Sequence, residues 1–460
     1  MSVYDTCAAI STAHGKAGIA VIRMTGSDSV NIASKVFFPR SGKKLVDVPH
    51  AKAVFGDIYY SGDIIDNGIC TIFYAPHSFT GEDTVEISCH GSELGTSLVL
   101  SSLFAAGAIP APAGEFTKRA FLNGKLSLMQ AEAVAELLDA QSTSSIKLSI
   151  AKADGKLDAE ITDISEKLKN ILGSVYAYID YPDEDLADMD SETMRGLLFE
   201  IKDRLLRLTE SYNSGRAITS GIPTSVVGLP NSGKSSLLNM LLKKDRCIVT
   251  DIEGTTRDVI TEKATIGNII LRISDTAGIR KTDDAVEQIG VRKTFESIDL
   301  CELILVVLDL SKKILPEEEE LLAKLSKMND KKVIVILNKS DIEKYPDKEL
   351  LAKKYFKNCI KMSVKNNVGE NLLSEKLTAL YPCGDEEIKS GLIITGARIY
   401  ACLNNCLHAV CDAIQTLESF TPDVAGMDLE RALGYLEEAD GRSVTEEIVS
   451  NIFSRFCIGQ

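Results

Sequence analysis

Read along the chain, the apolar and polar positions change rhythm three times. Up to about residue 118, short apolar runs are split by Gly, Pro and polar clusters. Gly18-Ile19-Ala20-Val21-Ile22-Arg23, Gly68-Ile69-Cys70-Thr71-Ile72-Phe73-Tyr74 and Thr84-Val85-Glu86-Ile87-Ser88 are examples. Such runs predict strands, and Leu94 to Ala106 predicts a helix among them, which together make an α+β domain. From about Leu126, apolar residues recur at three and four, as in Ala133, Leu137 and Leu138, and long amphipathic helices are predicted over 127–180 and 190–213. The acidic stretch Asp180 to Asp190 contains Pro182 and predicts a solvated turn between them.

From 222 to 380 strand and helix signals alternate. Buried strands are predicted at Thr224 to Gly228, Ile269 to Ser274, Leu303 to Leu308 and Val333 to Leu337. That order predicts an α/β domain with a largely parallel sheet. After Pro382 helical periodicity returns, over about 394–418 and 427–454. Helices on both sides of the α/β block imply one helical domain interrupted by an insertion. The expected boundaries are 1–118, 119–215, 216–380 and 381–460.

Composition narrows the class. The 460 residues are 45% hydrophobic and 25% charged, the balance of a soluble globular protein of two or three domains. No apolar run is long enough to span a bilayer, and Met1 to Thr6 does not look like a signal peptide, so a cytoplasmic protein is expected. The eleven cysteines form no C-x-x-C pair, and with only five histidines a zinc site is not indicated. A net charge of −15 argues against strong non-specific nucleic-acid binding.

The candidate chemistry sits in the α/β block. Gly228-Leu229-Pro230-Asn231-Ser232-Gly233-Lys234-Ser235 is G-x-x-x-x-G-K-S between a predicted strand and a predicted helix. Its glycines let backbone N–H groups surround phosphate oxygens, Lys234 neutralises β/γ charge, and the Ser235 hydroxyl suits Mg²⁺. Asn231, Ser232, Gly233, Lys234, Ser235 and Ser236 are therefore expected to contact nucleotide. Asn338-Lys339-Ser340-Asp341 follows a strand, and the Asp341 carboxylate can accept from guanine N1–H and its 2-amino group. Ser363-Val364-Lys365, at another strand end, is a base-supporting loop with Val where Ala is usual. Asp275-Thr276-Ala277-Gly278 would approach Mg²⁺ and the γ-phosphate, and Thr256 of Gly254-Thr255-Thr256-Arg257-Asp258 would add a hydroxyl to Mg²⁺. GTP or GDP with Mg²⁺ is the implied ligand. Ras-type enzymes place the attacking water with a Gln after this D-x-x-G. Ile279 stands there and cannot, leaving Asp283, Asp284 and Glu287 as candidates. Arg257 and Arg280 are nearby, but neither is assured as a charge-neutralising finger.

Together with Thr250 to Asp258, Phe79-Thr80-Gly81-Glu82-Asp83, Glu86 to Gly91, Gly114 to Lys125 and the tail Arg455-Phe456-Cys457-Ile458-Gly459, these motifs closely resemble the MnmE (TrmE) family of tRNA-modification GTPases, along essentially the whole chain. The resemblance implies an N-terminal domain that dimerises and binds 5-formyl-tetrahydrofolate or a related folate, a discontinuous helical domain and an inserted Ras-like G domain. It implies an FAD-dependent partner, MnmG, in a heterotetramer, and modification of carbon 5 of the wobble uridine of certain tRNAs, with a one-carbon unit and glycine or ammonium. The family's potassium site falls on Asn231, Thr250, Ile252 and Thr255, its water-orienting glutamate on Glu287. Its nucleotide contacts take in Thr250, Thr255, Thr276 and Ala277, and its folate site falls on Arg23, Glu82, Lys125 and the last residue, Gln460. There the family ends in lysine. The loop His14-Gly15-Lys16-Ala17-Gly18 also departs from the family's Pro-Gly-Arg-Gly-Gly pattern.

A regulatory G-protein switch without covalent RNA chemistry, for example in ribosome assembly, is the competing class. The N-terminal motifs favour the tRNA-modifying enzyme, with no membrane attachment.

Overall fold

The computed structural model describes residues 5–180, 191–243, 261–274, 298–342, 344–419, 422–454 and 456–459. It divides into two compact units, 1–135 with 153–166 and 433–460, and 136–152 with 167–432. The predicted acidic turn at 181–190 lies outside the described residues.

The first unit is built on a seven-stranded sheet. Its strands are β1 (Cys7–Ile10), β2 (Ala17–Thr25), β3 (Phe37–Pro39), β4 (Ala53–Tyr60), β5 (Asp63–Phe73), β6 (Thr84–Gly91) and β7 (Ile109–Pro110). They lie in the order β3-β4-β5-β6-β2-β1-β7, antiparallel except for the β1–β7 pair. Side chains alternate between faces along each strand. Ile22 and Met24 of β2 share a core with Ile58, Cys70, Ile72, Val85 and Ile87 and with α1 (Ser29–Val36) and α2 (Glu93–Ala106). Arg23 and Thr25, one position out of phase, face the other way. There α3 (Glu115–Leu122) brings Phe116 into a second cluster with Cys7, Ala9 and Ala111.

The C-terminal tail is stitched to this unit. Ala113 bridges Ile458, the Gly114 N–H donates to the Cys457 carbonyl at 3.3 Å, and Ser11 Oγ donates to the Gly459 carbonyl at 2.9 Å. Gly459 has φ +90° and lies against Ile10 and Ser11, where a Cβ would overlap backbone. Only glycine meets both demands at little cost.

The second unit carries a six-stranded sheet in the order β13-β12-β11-β8-β10-β9. These are β8 (Ile222–Val227), β9 (Thr261–Ile266), β10 (Ile269–Ser274), β11 (Leu303–Asp309), β12 (Lys332–Asn338) and β13 (Cys359–Lys361). All neighbours are parallel except β9 and β10, a hairpin closed at Gly267-Asn268. β11 is buried along its whole length, as a parallel strand covered on both faces must be. The predicted strands and the helix after the phosphate loop (Lys234–Lys243) are present. β9 was not predicted from the sequence: Thr261-Glu262-Lys263 is polar and pairs only at the sheet edge.

The predicted helical region 127–180 is three helices, Leu128–Leu138, Thr143–Ala153 and Lys156–Asp180. Gly155, at φ +79°, stands between the last two. The predicted 190–213 helix is Ser191–Glu210 followed by Tyr212–Ile218, and the last predicted helix is Pro422–Asp440 and Glu446–Phe453.

Candidate nucleotide and folate sites

Phosphate-loop geometry follows from two glycines. Gly228 has φ +151° and Gly233 φ +104°, and a Cβ on either would overlap its neighbours, Val307 backbone for the first and the Asn338 amide for the second. The cradle exists only without those side chains. Lys234 Nζ donates to the Gly228 and Leu229 carbonyls at 2.8 and 2.9 Å, so the ammonium lies inside the loop. Burial pushes its pKa down from the ordinary lysine value, which marks a cation whose solvation is incomplete without an anion. Ser232 Oγ is buried and, among the described residues, has no hydrogen-bond partner. Ser235 is half-buried in the first turn of the following helix, and Ser236 is exposed. An incompletely solvated cation, an orphaned hydroxyl and a left-handed glycine cradle fit a phosphate chain.

Three loops converge on this cradle. Asn338 closes β12 and is buried; its Nδ2 donates to the Ser232 carbonyl at 2.9 Å. Its Oδ1 accepts from Lys339 N at 2.8 Å and Val364 N at 3.2 Å. Asp341 Oδ1 accepts from Ser363 Oγ at 2.6 Å, and that bond holds its carboxyl below the usual range. Ser363 is fixed in turn by backbone bonds in both directions with Val368. Lys365 is exposed on the same loop. The structure therefore brings Asn231 to Ser236, Asn338, Lys339, Asp341, Ser363, Val364 and Lys365 to one edge of the sheet. Thr250, Ile252, Thr255, Thr256, Asp275, Thr276, Ala277, Gly278 and Glu287 lie outside the described residues.

One participant was missed from the sequence. Asp309, at the end of β11 and 3% exposed, accepts from Lys339 Nζ at 2.6 Å. Its signal was available: an acidic residue closing an otherwise apolar parallel strand, level with the base loop.

In the first unit, Arg23 pairs across strands with Glu86, Nε to Oε1 2.9 Å, between the rings of Phe79 and Phe116 at 6.0 and 5.6 Å. Glu82 Oε2 accepts from Arg119 Nη1 at 3.0 Å and from Thr25 Oγ1 at 3.2 Å. Arg119 is 2% exposed and also donates from Nε to Glu115 Oε1 at 2.8 Å. Glu82 Oε1 accepts from nothing among the described residues. One carboxylate oxygen is thus anchored and the other is left to accept, which fits a ligand with N–H donors. Lys125 Nζ donates to the Pro76 carbonyl at 3.1 Å, and its stem lies along Gly81. Arg23, Glu82 and Lys125 are gathered around the 76–82 loop and α3. Gln460 lies outside the described residues, though Gly459 before it is tied to Ser11. Arg119 was quoted within a motif but assigned no role; its complete burial is what marks it.

The model of the MnmE helical domain matches residues 128–457, and that of the GTP-binding protein TrmE N-terminus matches 6–125. The tRNA modification GTPase MnmE of Clostridioides difficile is 39% identical, over 100% of both chains. That of Acetivibrio thermocellus is 36% identical over 99% of each, and that of Ligilactobacillus salivarius 38% over 99% of this chain and 98% of its own. Among solved structures, Era from Aquifex aeolicus bound to GDP and aluminium fluoride shares 24% identity over 40% of this chain and 65% of its own, with a TM-score of 0.27. Among the described residues no helix is long and apolar enough to cross a membrane. With both family models matched and relatives aligned end to end, the chain belongs to the MnmE (TrmE) family of tRNA modification GTPases.

Proposed function

We propose that this GTP hydrolase uses its nucleotide cycle to drive modification of carbon 5 of the wobble uridine of certain tRNAs, adding an aminomethyl or carboxymethylaminomethyl group. The observation that carries the nucleotide half is the Asn338 bond network, which joins phosphate loop, base loop and supporting loop. Asp341 selects guanine through two parallel acceptors, while Lys234 and the loop N–H groups hold the phosphates. Ser235 and Thr256 would hold Mg²⁺, and Asn231, Thr250, Ile252 and Thr255 would hold K⁺. Both ions supply positive charge against the charge that develops on the transferred phosphoryl group. Glu287 orients the attacking water, a role Ile279 cannot fill.

The RNA half rests on the first unit. Glu82, presented by Arg119, and Arg23 and Lys125, with Gln460, bind a formyl-tetrahydrofolate. That folate supplies the one-carbon unit, and an FAD-dependent MnmG-like subunit completes the assembly. The same domain dimerises, in keeping with the exposed apolar pair Phe55 and Ile69, directly opposite on β4 and β5. We place the protein in the cytoplasm and divide it at 1–118, 119–215, 216–380 and 381–460.

Two measurements test this reading. Turnover of GTP in KCl should exceed that in NaCl at equal ionic strength by about 10³-fold, the scale of a lost arginine finger. Tandem mass spectrometry of tRNA from a deletion strain should show loss of the wobble modification. An unchanged spectrum would instead leave a regulatory switch.

A further inference from the structure

Glu302 stands directly before β11, at the end of the sheet away from the phosphate loop. Its backbone continues the ladder: its N–H donates to the Pro223 carbonyl and its carbonyl accepts from Lys332 N, both at 2.9 Å. Its side chain turns to the chain's two crossings. Oε2 accepts from Arg216 Nη2, and Oε1 accepts from the Tyr381 hydroxyl at 2.9 Å. Arg216 lies in the helix Tyr212–Ile218, the last before β8. Tyr381 is the C-cap of the helix Glu370–Leu380, after which, among the described residues, the sheet gains no strand. One carboxylate therefore binds the chain where it enters the inserted G domain and where it leaves.

The surroundings call for the negative charge. Lys332 Nζ sits 3.6 Å from the centroid of the Tyr381 ring and donates to the Leu380 carbonyl at 3.0 Å. Burial, and then the charge of Arg216, push the Lys332 pKa down. Two cations thus share the neighbourhood of this carboxylate. Tyr381 is 2% exposed, and burial pushes its hydroxyl up, so it remains a donor. Arg216 also reaches back: its guanidinium lies 5.7 Å from the Tyr212 ring, which stacks on Tyr400 of the helix Ala397–Ser419 at 4.3 Å. The two crossings meet each other as well. Ile394 N donates to Ser211 Oγ at 3.0 Å, and a Cβ on Gly215 would overlap the Ile394 carbonyl.

An inserted domain joined by two adjacent crossings can turn about them as a hinge unless a third point holds it. We propose that Glu302 is that third point: a clamp by which a central strand of the G domain grips both crossings and fixes the domain's orientation on the neighbouring helices. Without its charge, Arg216 and Lys332 are left side by side with no counter-charge from Glu302. Removing one partner costs more than the pair contributes, because the remaining charge stays half-buried and unpaired. The clamp is separable from nucleotide binding. β8 and β11 run from it to Gly228 and Asp309 at the opposite edge of the sheet.

The test uses the full-length protein with saturating GDP. Spin labels on unnatural residues at the exposed positions Arg207 and Lys327 report the distance from the helix Ser191–Glu210 to the G domain. Hydrogen exchange followed by mass spectrometry reports on the crossings. The parent is expected to give one narrow distance distribution. Glu302→Gln keeps the shape and removes the charge. It should roughly double that width, and amides in 212–221 and 381–396 should exchange about tenfold faster, the scale of one lost charge-assisted hydrogen bond. Exchange along β11 and β12, and affinity for a fluorescent GDP analogue, should match the parent. Tyr381→Phe removes one hydroxyl and keeps the ring beside Lys332. It should move both readouts in the same direction by less, and it carries the test if Glu302→Gln does not fold. An unchanged width in a folded variant overturns the proposal, as does a distribution already broad in the parent. Faster exchange along β11 and β12 overturns it too, since Glu302 would then support the sheet and not the crossings.

Discussion

Asn338 and Ser232 lie 106 positions apart, yet the side-chain amide of the first donates to the carbonyl of the second at 2.9 Å. With its Oδ1 shared between Lys339 N and Val364 N, one buried side chain sets the distance between the loops for phosphate, base and base support. Truncation by Asn338→Ala would leave two N–H groups and a carbonyl without partners. Each buried orphan costs about 1–3 kcal/mol. GDP affinity should then fall at least tenfold, the equivalent of about 1.4 kcal/mol. Titration of a fluorescent GDP analogue reads this directly, and an affinity equal to the parent's would show that the loops are held by other means.

Asn338 also shows what a sequence can and cannot convey here. G-x-x-x-x-G-K-S and N-K-x-D were legible because each motif needs fixed residue types at fixed local spacing. The strands β8, β10, β11 and β12 were legible because parallel strands are continuous apolar runs. Partners that meet only through the fold were not legible. Arg119 reads as one more helix cation, and nothing local says that it is buried between Glu82 and Glu115. Asp309 reads as a strand terminus until β11 and β12 lie side by side and bring Lys339 to it. Arg23, assigned to the folate site from the resemblance, is also the cross-strand partner of Glu86, a contact that only the β2–β6 register reveals.

The cysteines should separate by environment. Burial pushes the Cys7, Cys70 and Cys406 thiols up to about 12, whereas Cys457 is exposed on the tail. Iodoacetamide at pH 8 should label Cys457 quickly and leave the other three unmodified until urea unfolds the chain, as peptide mass spectrometry would show. Because the Cys7 thiol titrates at about 12 when folded and 9.0 ordinarily, the neutral form favours the native state. That stability is complete below pH 9 and is lost as pH rises towards 12. Between pH 8 and 10.5 the parent should lose about 1–2 kcal/mol relative to Cys7→Ala in urea titrations. Parallel losses in both proteins would contradict the assignment.

The guanine preference should reside in one carboxylate. Ser363 Oγ occupies one face of Asp341 Oδ1 at 2.6 Å and fixes the plane of the group. Asp341→Asn substitutes a donor for an acceptor, which opposes the 2-amino group of guanine and meets the 2-oxo group of xanthine. A site left with an unpaired polar group discriminates strongly. GTP affinity should fall about a hundredfold or more, with xanthosine triphosphate becoming the better competitor. Retained guanine preference would move recognition to the Ser363–Lys365 loop.

The folate reading makes opposite predictions for two substitutions. Arg119 bridges Glu82 and Glu115 with a planar fork, and lysine cannot span both. Arg119→Lys should therefore free the Glu82 carboxylate and weaken 5-formyl-tetrahydrofolate binding about tenfold, close to the 1.5–3 kcal/mol of a charged hydrogen bond. Gln460→Lys acts in the other sense. The tail before it is bonded to the unit through Ile458 and Gly459. Adding a cation there should strengthen binding of an anionic ligand. A partly exposed pair contributes about 0.2–1 kcal/mol, so the gain should be at most severalfold and should fade as salt is raised. Calorimetry on the parent and the two variants decides between outcomes. No heat with any of them removes the folate assignment. Loss in Arg119→Lys without gain in Gln460→Lys keeps Glu82 as a ligand and takes the tail away from it.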